Sequence, residues 1–84
     1  MPVGTIRYWA AAREAAGVGE EPFDARTLAE ALEIARQVHG EQLARVLERC
    51  SYVVDESPVG GRDPSTVELT AGGTVEVLPP FAGG

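Results

Sequence analysis

The segment LTAGGTVEVLPPFAGG (residues 69–84) combines a turn, a strand and a stop. Gly72-Gly73 supplies the tight turn. Thr74–Leu78 then alternates, with Val75 and Val77 on one face and Thr74, Glu76 and Leu78 on the other. Pro79 and Pro80 have no backbone N–H to give to a sheet, and they hold the chain extended where it leaves. Phe81 adds an apolar anchor, after which Ala82, Gly83 and Gly84 carry almost no side chain. Glycine has the most freedom to lose on ordering, so Gly83-Gly84 adds nothing to a folded core. The segment therefore reads as a terminal strand feeding a stiff exit and a thin tip. The chemistry of that tip is the α-carboxylate of Gly84, on a peptide narrow enough to thread a channel in another protein.

A strand with one apolar face needs partners, and the rest of the chain provides them. VGTIRYWA (3–10) is rich in β-branched and aromatic residues, with Ile6, Tyr8 and Ala10 expected on one face and Thr5, Arg7 and Trp9 on the other. AAREAAG (11–17) is one or two helical turns closed by Gly17. EEPFDA (20–25) is a short strand that Pro22 assigns to a sheet edge. TLAEALEIARQVHG (27–40) is the main helix. Thr27 and Glu30 make a capping box, Leu28, Ala31, Leu32, Ala35 and Val38 form its apolar stripe, and Gly40 ends it. EQLARVLERC (41–50) is again helical, with Leu43, Val46, Leu47 and Cys50 on one face and a Glu41–Arg45 pair one turn apart. SYVVDE (51–56) is a strand, SPVGGRDPST (57–66) is turn chemistry, and VEL (67–69) is a further short strand.

This order implies an α+β domain: a mixed sheet of about four to five strands with one main helix on one face. The domain spans residues 1–78, and 79–84 form a flexible tail. If the first and last strands are neighbours, Trp9 and Leu78 share the uncovered sheet face with Arg7 and Glu76. Exposed aromatics are enriched at interface hot spots, which makes Trp9 and Leu78 candidate partner contacts.

Composition narrows the function. The 84 residues hold thirteen acidic and seven basic side chains, a net charge of −6, with one Cys and one His. Such a surface does not suit nucleic acid or an anionic membrane. One cysteine excludes an internal disulfide and a cysteine-rich zinc site. His39 sits in the last turn of the main helix, where a donor or cation is structurally useful. Cys50 lies on an apolar face and reads as a small hydrophobe rather than a reactive thiol. The glycine pairs lack any phosphate-loop spacing. The expectation is a cytoplasmic protein with no bound metal or cofactor and no catalytic constellation of its own.

Three stretches resemble one known family. RYWAAAREAAG (7–17), YVVDE (52–56) and LTAGGTVEVLPPFAGG (69–84) are together similar to the MoaD/ThiS family of ubiquitin-like β-grasp sulfur carriers, and most resemble its MoaD branch, the small subunits of molybdopterin synthase. Asp55 and Gly73 depart from the family's usual Asn and Asp at those turns. The resemblance implies a β-grasp fold and a set of partners. A MoeB-like enzyme using ATP and Mg adenylates Gly84, and a sulfur donor protein converts the adenylate to a thiocarboxylate. A MoaE-like large subunit then receives Pro79, Pro80, Phe81, Ala82, Gly83 and Gly84 as a threaded tail. The carrier is not an enzyme by itself; sulfur passes to a cyclic pyranopterin for molybdopterin synthesis. ThiS-like carriers for thiazole, carriers for cysteine synthesis and ubiquitin-like protein modifiers share the same ending and remain alternatives.

Overall fold

A computed structural model describes residues 2–80 of the protein. Five strands form one mixed sheet: β1 (Val3–Tyr8), β2 (Glu20–Asp24), β3 (Ser51–Val54), β4 (Ser57–Pro58) and β5 (Thr74–Leu78). Their order is β2-β1-β5-β3-β4, with β1 and β5 parallel at the centre and the other pairs antiparallel. Three helices connect them: α1 (Ala10–Ala16), α2 (Leu28–His39) and α3 (Glu41–Leu47). The expected mixed sheet with one main helix is present, and the fold is α+β.

The alternation seen in the sequence sets the two faces of the sheet. Ile6, Tyr8, Val75 and Val77 are all buried, and meet Leu28, Ala31, Leu32 and Ala35 of α2 and Leu43 and Leu47 of α3 in one core. Each large aliphatic or aromatic side chain buried there contributes about 1.5–3 kcal/mol. The α2 cap forms largely as its sequence implies. Thr27 Oγ1 accepts from the Glu30 N–H at 3.2 Å, while the Glu30 carboxylate reaches one residue further back than a capping box requires, to the Arg26 N–H at 3.0 Å. Seven-residue α1 would not persist alone; it is held by the buried Ala12 and Ala16 and by Gly17, which closes it in the left-handed region at φ 78°. In β2, the bonds from Tyr8 N–H to Gly19 O and from Ala25 N–H to Pro2 O set the phase of pairing with β1. Pro22, opposite Thr5, falls at a position whose N–H would face away from β1. It thus sits on the edge strand as expected and removes a donor from the open edge.

Four sequence expectations are corrected. First, β1 stops at Tyr8. Trp9 caps α1, and Ala10 is exposed with φ 49° instead of facing the core, because the chain must turn there from strand into helix. Second, Val38 is 65% exposed. It sits on the rim of the open groove between α2 and the edge strand β2 and leaves most of its surface to solvent, while its neighbour His39 is the last-turn residue that meets β2. Third, α3 ends at Leu47, so Cys50 follows the helix, with its thiol donating to the Val46 carbonyl at 3.2 Å. Fourth, residues 67–69 make only a bridge to the segment before α2, through Leu28 N–H to Val67 O and Leu69 N–H to Arg26 O. The structure also adds β4, which pairs with β3 through a two-residue turn at Asp55-Glu56. Both residues have positive φ, 49° and 68°, the geometry that matches the twist of a hairpin.

That turn accounts for Asp55 and Gly73 together. The Asp55 carboxylate accepts from the Thr74 N–H at 2.8 Å and the Thr70 hydroxyl at 3.0 Å, tying the β3–β4 turn to the start of β5. A Cβ at Gly73 would lie 2.7 Å from Asp55 Oδ1 and 2.9 Å from Thr70 Oγ1. A side chain at 73 therefore collides with the carboxylate at 55, and an acidic one repels it as well. Gly73→Asp is expected to cost about 1–3 kcal/mol, and Asp55→Asn in the same chain to recover part of it. Urea unfolding of the two single variants and the double variant checks this. Strictly additive energies would refute the coupling.

Candidate functional site: the C-terminal exit

Parallel pairing of β1 and β5 brings the ends of both strands to one end of the sheet. Tyr8 is in register with Val77, and the Trp9 N–H donates to the Val77 carbonyl at 3.2 Å. Leu78 then pairs with Ser51 of β3 and is half-buried. The ladder stops there because Pro79 and Pro80 carry no N–H.

Pro79 is half-buried and Pro80 exposed. They form one wall of a groove whose other side is Ala11 of α1 with Arg45, Val46, Glu48 and Arg49 from α3 and the residues just after it. The exit thus runs along the α1–α3 side of the domain. Arg45 is an exposed partner of Glu41 at 3.0 Å, the one-turn pair expected from the sequence. Arg49 is exposed on the same wall. The positions of Arg45 and Arg49 beside the exit were not legible in the sequence, although their spacing of four placed them on one side of a helical segment.

Trp9 is 46% exposed and borders a shallow pocket with Arg7, Arg13, Gly19 and Glu20. It follows buried Tyr8 in extended conformation, which directs it away from the core. Arg7 on the same outer face pairs with Glu20 of β2 at 3.6 Å and lies in register with Glu76. Trp9 and Leu78 thus stand at the same end of neighbouring strands. Phe81, Ala82, Gly83 and Gly84 lie outside the described residues.

Elsewhere several ionisable groups are engaged in the fold. The Tyr8 hydroxyl donates to Glu21 Oε2 at 2.5 Å, and His39 Nε2 faces the same oxygen at 2.7 Å and is the donor to it. The His39 ring also stands edge-on to Tyr8, with centroids 6.0 Å apart. Burial, then the hydrogen bond to Glu21 and its charge, push the Tyr8 phenol far above its ordinary range. His39 is therefore a strut between the end of α2 and β2. Glu21 was missed as its partner, because only tertiary packing brings residues 21 and 39 together.

Tyr52 donates its hydroxyl to the Leu47 carbonyl at 2.6 Å, and burial is the main reason its phenol is pushed up to about 12. Burial likewise raises the Cys50 thiol to about 11. Among the described residues no buried side-chain polar atom lacks a partner, and no group of His, Cys, Asp and Glu is arranged to hold a metal ion. No helix among them is long and apolar enough to cross a membrane. A partly open apolar groove of about 310 Å³ lies between β2 and α2, lined by Phe23, Ile34 and Val38, away from the exit.

Comparison with known proteins agrees with this geometry. The chain belongs to the ThiS family, a group of ubiquitin-like sulfur carriers, whose sequence model matches residues 6–84. No curated protein sequence matches it closely. Among solved structures it is similar to the small archaeal modifier protein 1 (SAMP1) of Methanosarcina acetivorans. That match has a TM-score of 0.86 at 18% identity, over 100% of this chain and 98% of that one. It is also similar to a putative molybdopterin converting factor subunit 1 from Pyrococcus furiosus, with TM-score 0.77, 22% identity and coverage of 96% and 100%. A complex of subunits 1 and 2 of the molybdopterin-converting factor from Helicobacter pylori matches with TM-score 0.68, 21% identity and coverage of 98% and 99%. These likenesses establish the ubiquitin-like β-grasp fold.

The state of Cys50 is open to direct measurement. With the thiol at about 11, the thiolate fraction at pH 8 is about two orders of magnitude below that of an unperturbed cysteine. Iodoacetamide alkylation of the folded protein is expected to be slower by a similar factor and to accelerate as pH approaches 11. Alkylation at pH 8 as fast as in free cysteine would show a reactive thiol.

Proposed function

We propose that the protein is a sulfur carrier for molybdopterin synthesis, with the Gly84 carboxylate as its reacting group. The observation that carries this reading is the family match extending through the diproline exit to Gly84. The described groups are consistent with it: no buried side-chain polar atom among them lacks a hydrogen-bond partner, and Pro79 and Pro80 border an open groove with α1 and the α3 segment.

In this mechanism a Gly84 carboxylate oxygen attacks the α-phosphorus of ATP in a MoeB-like enzyme, and pyrophosphate leaves. The outer sulfur of a donor protein's persulfide then attacks the acyl-adenylate carbon and the bond to AMP breaks; a thiol cleaves the resulting acyl disulfide, forming a disulfide with the donor cysteine and releasing the thiocarboxylate. ATP and Mg belong to the activating enzyme. This chain contributes the nucleophile, the thin peptide that carries it, and the surface that docks it. The large partner is a MoaE-like subunit, by analogy with the Helicobacter pylori complex of two subunits. Sulfur transfer to a cyclic pyranopterin takes place there.

Docking rests on Trp9 and Leu78 at the exit end of the sheet, joined by Phe81. Pro79 and Pro80 reduce the entropy lost when Phe81, Ala82, Gly83 and Gly84 enter the partner. Cytoplasmic placement follows from those partners.

A second reading, a protein modifier that forms an amide with a lysine, is favoured by the similarity to the archaeal modifier. It uses the same activated carboxyl and differs in the acceptor.

Intact mass of the protein from its native host separates the readings. Replacement of one oxygen by sulfur at Gly84 is expected for a carrier, covalent attachment to other proteins would establish a modifier, and a bare carboxylate under all conditions would overturn both. Trp9→Ala is expected to weaken binding to the large subunit by tenfold or more, the scale of an interface hot spot at about 2 kcal/mol. An unchanged affinity by calorimetry would misplace the patch. Gly83→Val is expected to abolish ATP–pyrophosphate exchange with the activating enzyme, and normal exchange would disprove the narrow channel.

A further inference from the structure

The seven basic residues of this chain, at positions 7, 13, 26, 36, 45, 49 and 62, are all arginine, and there is no lysine. Two of them, Arg45 and Arg49, line the groove beside Pro79 and Pro80. Four residues separate Pro80 from the reacting carbon, a span of at most about 14 Å. The activated end is therefore tethered within reach of those two exposed side chains, at an effective concentration on the order of millimolar. Of the other nucleophiles beside the exit, the Ser51 hydroxyl opposite Leu78 is weak, and the Cys50 thiol next to Arg49 is half-buried and donates to the Val46 carbonyl.

We propose that arginine at 45 and 49, within a lysine-free surface, prevents the activated Gly84 from acylating its own carrier, so that the chain is an acyl donor and never a side-chain acceptor. This rests on the functional reading above and specifies how its reacting group is protected. An acyl-adenylate or thioester is attacked by any free amine. A lysine Nζ would form a C–N bond to the Gly84 carbonyl carbon, the C–O bond to AMP or the C–S bond to a thiol would break, and the amine proton would pass to solvent. The product would be a dead-end amide. A guanidinium stays protonated at any working pH and its electron pairs are delocalised, so it does not attack.

The fold does not otherwise demand arginine there. The exposed Glu41–Arg45 pair would form equally with lysine, and pairs of this kind contribute little to stability. Nucleophilicity is the difference between the two cations that bears on an activated carboxyl.

The direction of the sheet also keeps the start of β1 away from the exit. Because β1 and β5 are parallel, Pro2 and Val3 lie at the opposite end of the sheet from Pro79. The six residues of β1 span about 20 Å, more than the tail can reach. If the chain serves as a modifier, its products are single additions to lysines of other proteins, with no chain extension through its own side chains.

The test uses the full chain prepared as a Gly84 thioester with mercaptoethanesulfonate, with no activating enzyme. Wild type, Arg45→Lys, Arg49→Lys and Arg49→Gln are incubated at pH 8 and followed by intact mass and peptide mapping. Wild type and Arg49→Gln are expected to lose thioester by hydrolysis, giving the free acid. The lysine variants are expected to lose it at least about tenfold faster, to an amide mapped to residue 45 or 49. Hydrolysis alone in the lysine variants would overturn the inference and leave arginine as a matter of composition only. Side-chain adducts in the wild type would overturn it as well. The functional reading stands or falls separately, on the sulfur or protein adduct at Gly84 of the host-derived chain.

Discussion

The parallel pairing of β1 with β5 is the contact on which the rest of the molecule depends. It joins the first and last strands at the centre of the sheet and buries Ile6, Tyr8, Val75 and Val77 against α2 and α3. Its direction matters as much as its burial. With β5 parallel to β1, Leu78 and Pro79 emerge beside Trp9 and α1, while Val3 sits at the far end. An antiparallel β5 would have released the same tail next to Val3, without the α1–α3 groove and without Trp9.

Around that pair the polar groups are settled within the domain. Burying a polar group is costly unless it is hydrogen-bonded. Glu21 meets this requirement for Tyr8 and His39 together, pinning the end of α2 to the edge strand. Asp55 ties the start of β5 to the β3–β4 turn through hydrogen bonds at the surface. Under the proposed function, such a domain serves as the holder for a reacting C-terminal extension, and arginine beside the exit gives positive charge without an amine nucleophile.

Much of this was readable along the chain. The strand pattern at 74–78, the cap at Thr27, the stop at Gly17 and the edge position of Pro22 all depend on neighbouring residues, and all appear in the structure. The errors fall where a local pattern competes with a tertiary boundary. Val38 continues the helical stripe but falls on the rim of the groove between α2 and the edge strand β2. Ala10 continues the strand alternation but falls in the turn into α1. Residues 67–69 have strand composition, and the segment before α2 offers them only two ladder bonds. The β3–β4 hairpin escaped notice because its turn residues, Asp55 and Glu56, include no glycine.

The sequence by itself determined the α+β class, the family and the ending that makes Gly84 the group of interest. Each of these follows from residue type and spacing over short distances. Tertiary structure alone decided which side of the domain the ending leaves from, that Glu21 holds His39 and Tyr8, that Asp55 accounts for Gly73, and that Arg45 and Arg49 line the exit. Those facts depend on the register and direction of strands far apart in the chain, and no local pattern encodes which distant residues will meet.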